Sequence, residues 1–184
     1  MSLLTFTLIC WIGAFFSSTQ TQTADFVSGI AARVSAESRR REEGGLSDSV
    51  TVNILSKIDE SVVQEMGRAW KVVGCGAGNE EAVLLLFRMA DGSIKARAEG
   101  MTNEHRSFTF NWDPAAVAIV HTHPNSADPE PSHHDRRLAD KLSVPIFTLT
   151  WRGMFVYEPR TKRVFRIQRE LDWIEPSKWE RNRP

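Results

Sequence analysis

Apolar residues along this chain follow two rhythms, and the switches between them mark out the elements. Ile58, Val62, Met66, Ala69, Trp70 and Val73 recur at the spacing of one helix face until Gly74 and Gly76 end the run. Ala82 to Met89 is apolar except for Arg88, which predicts a buried strand. Asp91-Gly92 then signals a turn into Ile94 to Ala98, so the two segments read as a hairpin. Further strands are expected at Ser107 to Trp112, broken by Asp113-Pro114, and at Ala116 to Val120. Beyond them, Leu138, Ala139 and Leu142 form a short helical stripe. Val144 to Trp151, Met154 to Tyr157 and Arg163 to Gln168 read as three more strands, with turns at Arg152-Gly153 and Pro159 to Lys162. Val50 to Leu55 is read as the first strand of the compact region. Ahead of it, Phe26, Ile30 and Val34 predict a short helix that runs into the charged stretch Ser38 to Glu43 and the Gly44-Gly45 break.

This order of elements predicts an α/β (α+β) fold with the organisation 1–24 leader, 25–46 helical linker, 47–170 compact domain and 171–184 surface-docked tail carrying Trp173 and Trp179. The apolar run Leu3 to Phe16 is shorter than the roughly 20 residues that a bilayer span needs, and suits a signal peptide. No Lys or Arg precedes it and no clean small-x-small cleavage site follows, so an uncleaved membrane anchor through residues 3–16 is the competing expectation. The expected location is therefore exported, periplasmic or membrane-anchored, with the cytoplasm as the alternative.

Composition narrows the function classes. At 184 residues the chain can bury a substantial core without disulfides. Lys plus Arg and Asp plus Glu both number 23, so no global basic field argues for a nucleic-acid partner. Arg39-Arg40-Arg41 and Arg136-Arg137 read as solvated faces. Cys10 and Cys75 build no disulfide framework, and Cys75 reads as a small buried hydrophobe with no basic neighbour to activate it. A Gly-rich phosphate loop and the Pro-Cys-x-x-Cys of zinc deaminases are both missing from the sequence.

Four of the five histidines lie between His121 and His134. The strand Ala116 to Val120 runs directly into His121-Thr122-His123-Pro124, and because side chains at i and i+2 share a face, His121 and His123 point the same way while Thr122 points opposite. Across a loop with Pro124, Pro129 and Pro131, Ser132-His133-His134-Asp135 has the form of a helix start, Ser132 as N-cap and Asp135 three residues later. Two imidazoles and one carboxylate with a fourth position open are the ligand set of a catalytic rather than a structural zinc site.

Together with the order of elements, His121-Thr122-His123-Pro124 and Ser132-x-x-Asp135 resemble the JAB/MPN+ (JAMM) metalloprotease family over roughly Ser47 to Gln168, and the Asp128-Pro129-Glu130-Pro131-Ser132 loop looks most like its bacterial RadC-type branch. The resemblance implies a curved mixed sheet flanked by helices. It further implies one Zn²⁺ on His121, His123 and Asp135, a protein or peptide substrate, and hydrolysis of a peptide or isopeptide bond with Glu81 as general base and Ser132 as hydrogen-bond donor to the oxyanion. Glu80 competes with Glu81, and Glu99 and Glu104 are further candidates. The family places seven residues between the second His and the Ser, whereas eight, Pro124 to Pro131, stand here. If the loop does not absorb the extra residue, His134 takes the third ligand position in place of Asp135. A metal-binding domain without catalysis and a RadC-like role around DNA are the alternative expectations.

Overall fold

The computed structural model describes residues 5–9, 50–101 and 107–180. In chain order the elements are β1 (Thr5–Ile9), α1 (Val50–Leu55), α2 (Glu60–Val72), β2 (Ala82–Arg88), β3 (Ile94–Met101), β4 (Ser107–Asn111) and β5 (Ala116–Thr122). They continue with α3 (His133–Leu142), β6 (Ile146–Thr150), β7 (Gly153–Glu158), β8 (Arg163–Arg169) and α4 (Pro176–Glu180), with short 3-10 turns at Gly74–Gly76 and Asp172–Ile174. The expected helix at Phe26 to Val34, the linker, Arg39 to Arg41, Cys10, Glu104 and most of the leader lie outside the described residues. Within the segment expected to be a leader, Thr5–Ile9 is a strand paired antiparallel with β4. Among the described residues, no helix is long and apolar enough to cross a membrane.

Six strands form one mixed sheet in the order β3-β2-β5-β6-β7-β8. Only β5 and β6 run parallel. A parallel pair cannot be closed by a hairpin and needs a crossover connection; here the crossover is the proline-rich loop and α3, so the histidine strand, the loop and the site helix form one unit. Alternation along the central strands divides the core in two. Leu84, Leu86, Val120, Phe147 and Leu149 pack with Val62, Met66 and Trp70 of α2 on one face. Val83, Leu85, Ile119 and Ile146 pack with Ala139 of α3 on the other, where Leu138 and Leu142 add partly buried contacts.

Two expectations change on inspection of the chain's ends. Val50 to Leu55 is a helix rather than a strand: Ile54 and Ile58 are buried on the core, as a four-residue spacing allows, and the Thr51 N–H donates to a Glu158 carboxylate oxygen at 3.3 Å. The Thr51 hydroxyl donates to the same oxygen, so a carboxylate from the end of β7 satisfies the donors that a helix N-terminus leaves open. The second change concerns the expected surface tail. Trp173 is fully buried, meets Trp70 edge-on at 5.7 Å between centroids and donates its indole N–H to the Thr150 carbonyl at 2.9 Å. Trp179 is buried beside it, donating to the Trp173 carbonyl, so residues 172–180 complete the α2 side of the core. A smaller correction is Cys75, which is exposed and left-handed (φ 55°) in the turn after α2 rather than buried.

Candidate metal centre

Strand β5 ends in the middle of the sheet, held on both sides. Its antiparallel neighbour β2 sets Val83 opposite His121, and its parallel neighbour β6 sets Thr148 opposite His121. The His123 N–H donates to the Leu149 carbonyl at 3.0 Å, which extends this frame one residue past the strand. His121 and His123 are buried on the face covered by α3, as the alternation requires. Thr122 faces the opposite side, and its hydroxyl accepts the Ala82 N–H at 2.9 Å, pinning the start of β2 against the end of β5.

Helix α3 supplies the carboxylate. Ser132 is its N-cap, with the Asp135 N–H donating to the Ser132 hydroxyl at 3.3 Å and the Ser132 N–H donating to Asp135 Oδ2 at 2.6 Å. This reciprocal pair fixes Asp135 in the first turn, facing the sheet and fully buried. The same bond uses the Ser132 oxygen as acceptor and leaves its O–H able to donate.

The three side chains converge. His121 Nε2 and His123 Nε2 are 2.9 Å apart, and Asp135 Oδ2 lies 3.6 and 3.7 Å from them. Ligands about 2.0–2.1 Å from a common ion at tetrahedral angles stand roughly 3.4 Å apart, a separation that these three distances bracket. The ring chemistry points the same way. His123 Nδ1 is 2.7 Å from the Asp128 carbonyl, which can only accept, so Nδ1 carries a proton and Nε2 is the ring nitrogen turned toward His121 and Asp135. Burial alone would raise the Asp135 carboxyl, but the His121 and His123 imidazoles beside it hold it well below the usual carboxylate range. An anionic oxygen and two ring nitrogens gathered in a dry site suit a divalent cation. No other group of three or more His, Cys, Asp or Glu among the described residues is so placed.

Buried polar atoms without a hydrogen-bond partner are few in folded proteins and call for an explanation such as an ion or water. Among the side chains of the described residues such atoms are Glu81 Oε1 and Oε2, His121 Nδ1 and Asp135 Oδ1, all in the expected site. Glu81 is fully buried just ahead of β2. It precedes Val83 by two residues, so the strand phase places it on the face that carries His121. Glu80, one residue earlier, is only half-buried.

No family model, curated protein or solved structure matches this chain.

The remaining sequence candidates fall elsewhere. His134 is outside the cluster, its Nδ1 accepting from Arg137 at 2.6 Å, and His133 is exposed beside it. Asp135 rather than His134 is therefore the residue of the helix start that meets the histidines. Glu99 accepts from Arg97 at 2.7 Å on β3. Arg136, expected as a solvated side chain, is partly buried and donates to the Pro131 carbonyl at 2.8 Å and to the Glu130 carboxylate at 3.1 Å.

Sequence reasoning missed the residues that hold the loop. The Asp128 carbonyl has no side-chain signature. Thr148 had one: a hydroxyl in the middle of the buried run Ile146-Phe147-Thr148-Leu149, costly unless bonded, donates to the Pro129 carbonyl at 2.6 Å. Gly76 is another, with φ +74° and a position where a Cβ would come within 2.6 Å of both Asn125 and Trp70. Its carbonyl accepts the Asn125 N–H at 2.8 Å, tying the turn after α2 to the segment just past His123.

Proposed function

We propose that this chain is a zinc-dependent hydrolase of the JAMM type that cleaves a peptide or isopeptide bond. The observation that carries the reading is Glu81: a fully buried carboxylate whose two oxygens lack partners, on the sheet face of a His-His-Asp cluster. Evolution of a merely structural core has no use for such a group, since an unsatisfied buried polar group costs about 1–3 kcal/mol and more when charged. A general base needs an oxygen held free in this way.

His121, His123 and Asp135 would hold the ion. The chemistry that zinc supplies when bound is activation of water, whose pKa falls to about 7, and polarisation of the scissile carbonyl. Glu81 takes the proton of the attacking water and returns it to the leaving amine. The Ser132 hydroxyl, already oriented through its oxygen by the Asp135 N–H, donates toward the developing oxyanion. The Asp128 carbonyl keeps the His123 proton on Nδ1. The substrate is a protein or peptide; the balanced charge of the chain gives no support to a nucleic-acid partner.

The test is an amide-hydrolysis screen over peptide and isopeptide substrates with wild type and Glu81→Gln. Glu81→Gln is expected to keep the metal and lose about 10²- to 10⁴-fold in turnover. Equal turnover in both removes Glu81 from the chemistry. Metal retention with no hydrolysis by either protein favours a metal-binding domain without catalysis.

A further inference from the structure

Resting on the metal-centre reading, we propose that Thr148 is a positioning residue for the ion, acting on His123 through the proline-rich loop. Thr148 lies on β6, fully buried, directly opposite His121 in the parallel register. Valine has the same shape and would fill this place in an apolar strand without a hydroxyl to satisfy. The hydroxyl instead donates to the Pro129 carbonyl at 2.6 Å. One peptide earlier, the Asp128 carbonyl accepts from His123 Nδ1 at 2.7 Å.

The coupling between these two bonds follows from backbone geometry. The Asp128-Pro129 peptide is planar, and the ring of Pro129 locks its φ near −65°. Only the ψ of Pro129 remains free between the carbonyl that Thr148 grips and the carbonyl that orients His123. Holding the first on β6 therefore restricts the second to a single remaining rotation. Elsewhere the loop is held by the Asn125 N–H on the Gly76 carbonyl at 2.8 Å and by Arg136 on the Pro131 carbonyl at 2.8 Å. The Ala127 N–H also donates to the Pro124 carbonyl at 2.9 Å and the Glu130 N–H to Asp128 Oδ1 at 3.0 Å, but these bonds lie within the loop, whereas Thr148 ties the Pro129 carbonyl to the sheet. Partners that hold a ligand imidazole in one tautomer and orientation typically contribute 10- to 100-fold to metal affinity, and the hydroxyl of Thr148 secures such a partner here.

The experiment measures zinc affinity of the full chain by competition with a chromophoric chelator, alongside the thermal midpoint of the metal-free proteins. Thr148→Val is expected to weaken zinc binding about 10- to 100-fold, and Thr148→Ser, which keeps the hydroxyl, to bind as wild type does. A folded Thr148→Val that matches wild type in affinity, whatever its thermal midpoint, overturns the proposal and leaves the metal centre standing. A wild-type chain that binds no zinc overturns both. Should Thr148→Val not fold, Thr148→Cys, a weaker donor in the same place, must bind more weakly than Thr148→Ser, and equal affinities for those two likewise overturn it.

Discussion

At the scale of single residues, the account turns on which side chain of the eight-residue loop and its helix reaches the histidines. Asp135 does so because the capping box holds it, whereas His134 is turned aside to Arg137. Asp135→Ala is therefore expected to weaken metal binding by more than the roughly 10- to 100-fold loss of an outer hydrogen-bond partner, and His134→Ala to leave it unchanged; isothermal titration with zinc distinguishes them. The reverse ranking would mean that His134 rather than Asp135 is the third ligand. The positions that could be read from the sequence here are those fixed by local periodicity. His121 and His123 share a face because strands alternate, and Asp135 follows Ser132 by the spacing of a cap. Strand phase allows only one of Glu80 and Glu81 to face the histidines, and the choice of Glu81 rested on the family resemblance rather than on periodicity. Thr148 and the Asp128 carbonyl escaped, because their roles depend on a parallel pairing between residues as distant in the chain as His121 and Thr148 and on a main-chain acceptor that any residue could supply.

Elements were legible where the apolar pattern was long and ambiguous where it was short. Helix α2 carries its face through several turns and could be placed from spacing alone, but Val50 to Leu55 is a short segment in which Thr51 and Asn53 alternate with apolar residues, a pattern that reads as a strand although the segment is a helix. The decision came from distant partners, Glu158 at the N-terminus and the core beneath Ile54 and Ile58. The start of α2 gives a prediction. Asp59 caps it, accepting from the Val62 N–H at 3.1 Å and the Ser61 hydroxyl at 2.6 Å. Partial burial acts to raise the Asp59 carboxyl, but the Ser61 and Val62 bonds and Lys95 together hold it below its ordinary value. A carboxyl lowered in the folded state contributes stability above the unfolded value near pH 4 and loses it as the pH falls further. Asp59→Ala is expected to cost about 1 kcal/mol at neutral pH, with the difference from wild type shrinking in urea titrations below about pH 4. A difference independent of pH would show that the carboxylate is not the cap.

For the whole molecule, the sheet organises two separate tasks on its two faces. One face, closed by α2, Trp173 and Trp179, is the larger core; the other, closed by α3, carries the His-His-Asp cluster. The C-terminal tryptophans were misread as surface because a short segment with two aromatics has no periodicity to betray what it covers. Trp173→Ala should cost about 3–5 kcal/mol in denaturant unfolding, since it removes a fully buried indole together with its bond to Thr150; a loss below about 1 kcal/mol would be inconsistent with that burial. The mixed six-strand sheet flanked by helices agrees with the α/β class read from the pattern, and the single parallel pair explains why loop, helix and histidine strand belong together. The most direct measurement of the central claim is the metal content of the purified full chain beside a His121→Ala/His123→Ala variant, by elemental analysis after equilibration with zinc. The account predicts one tightly held ion per chain in the wild type and none in the variant; a wild type without bound metal, or a folded variant that keeps it, would contradict it.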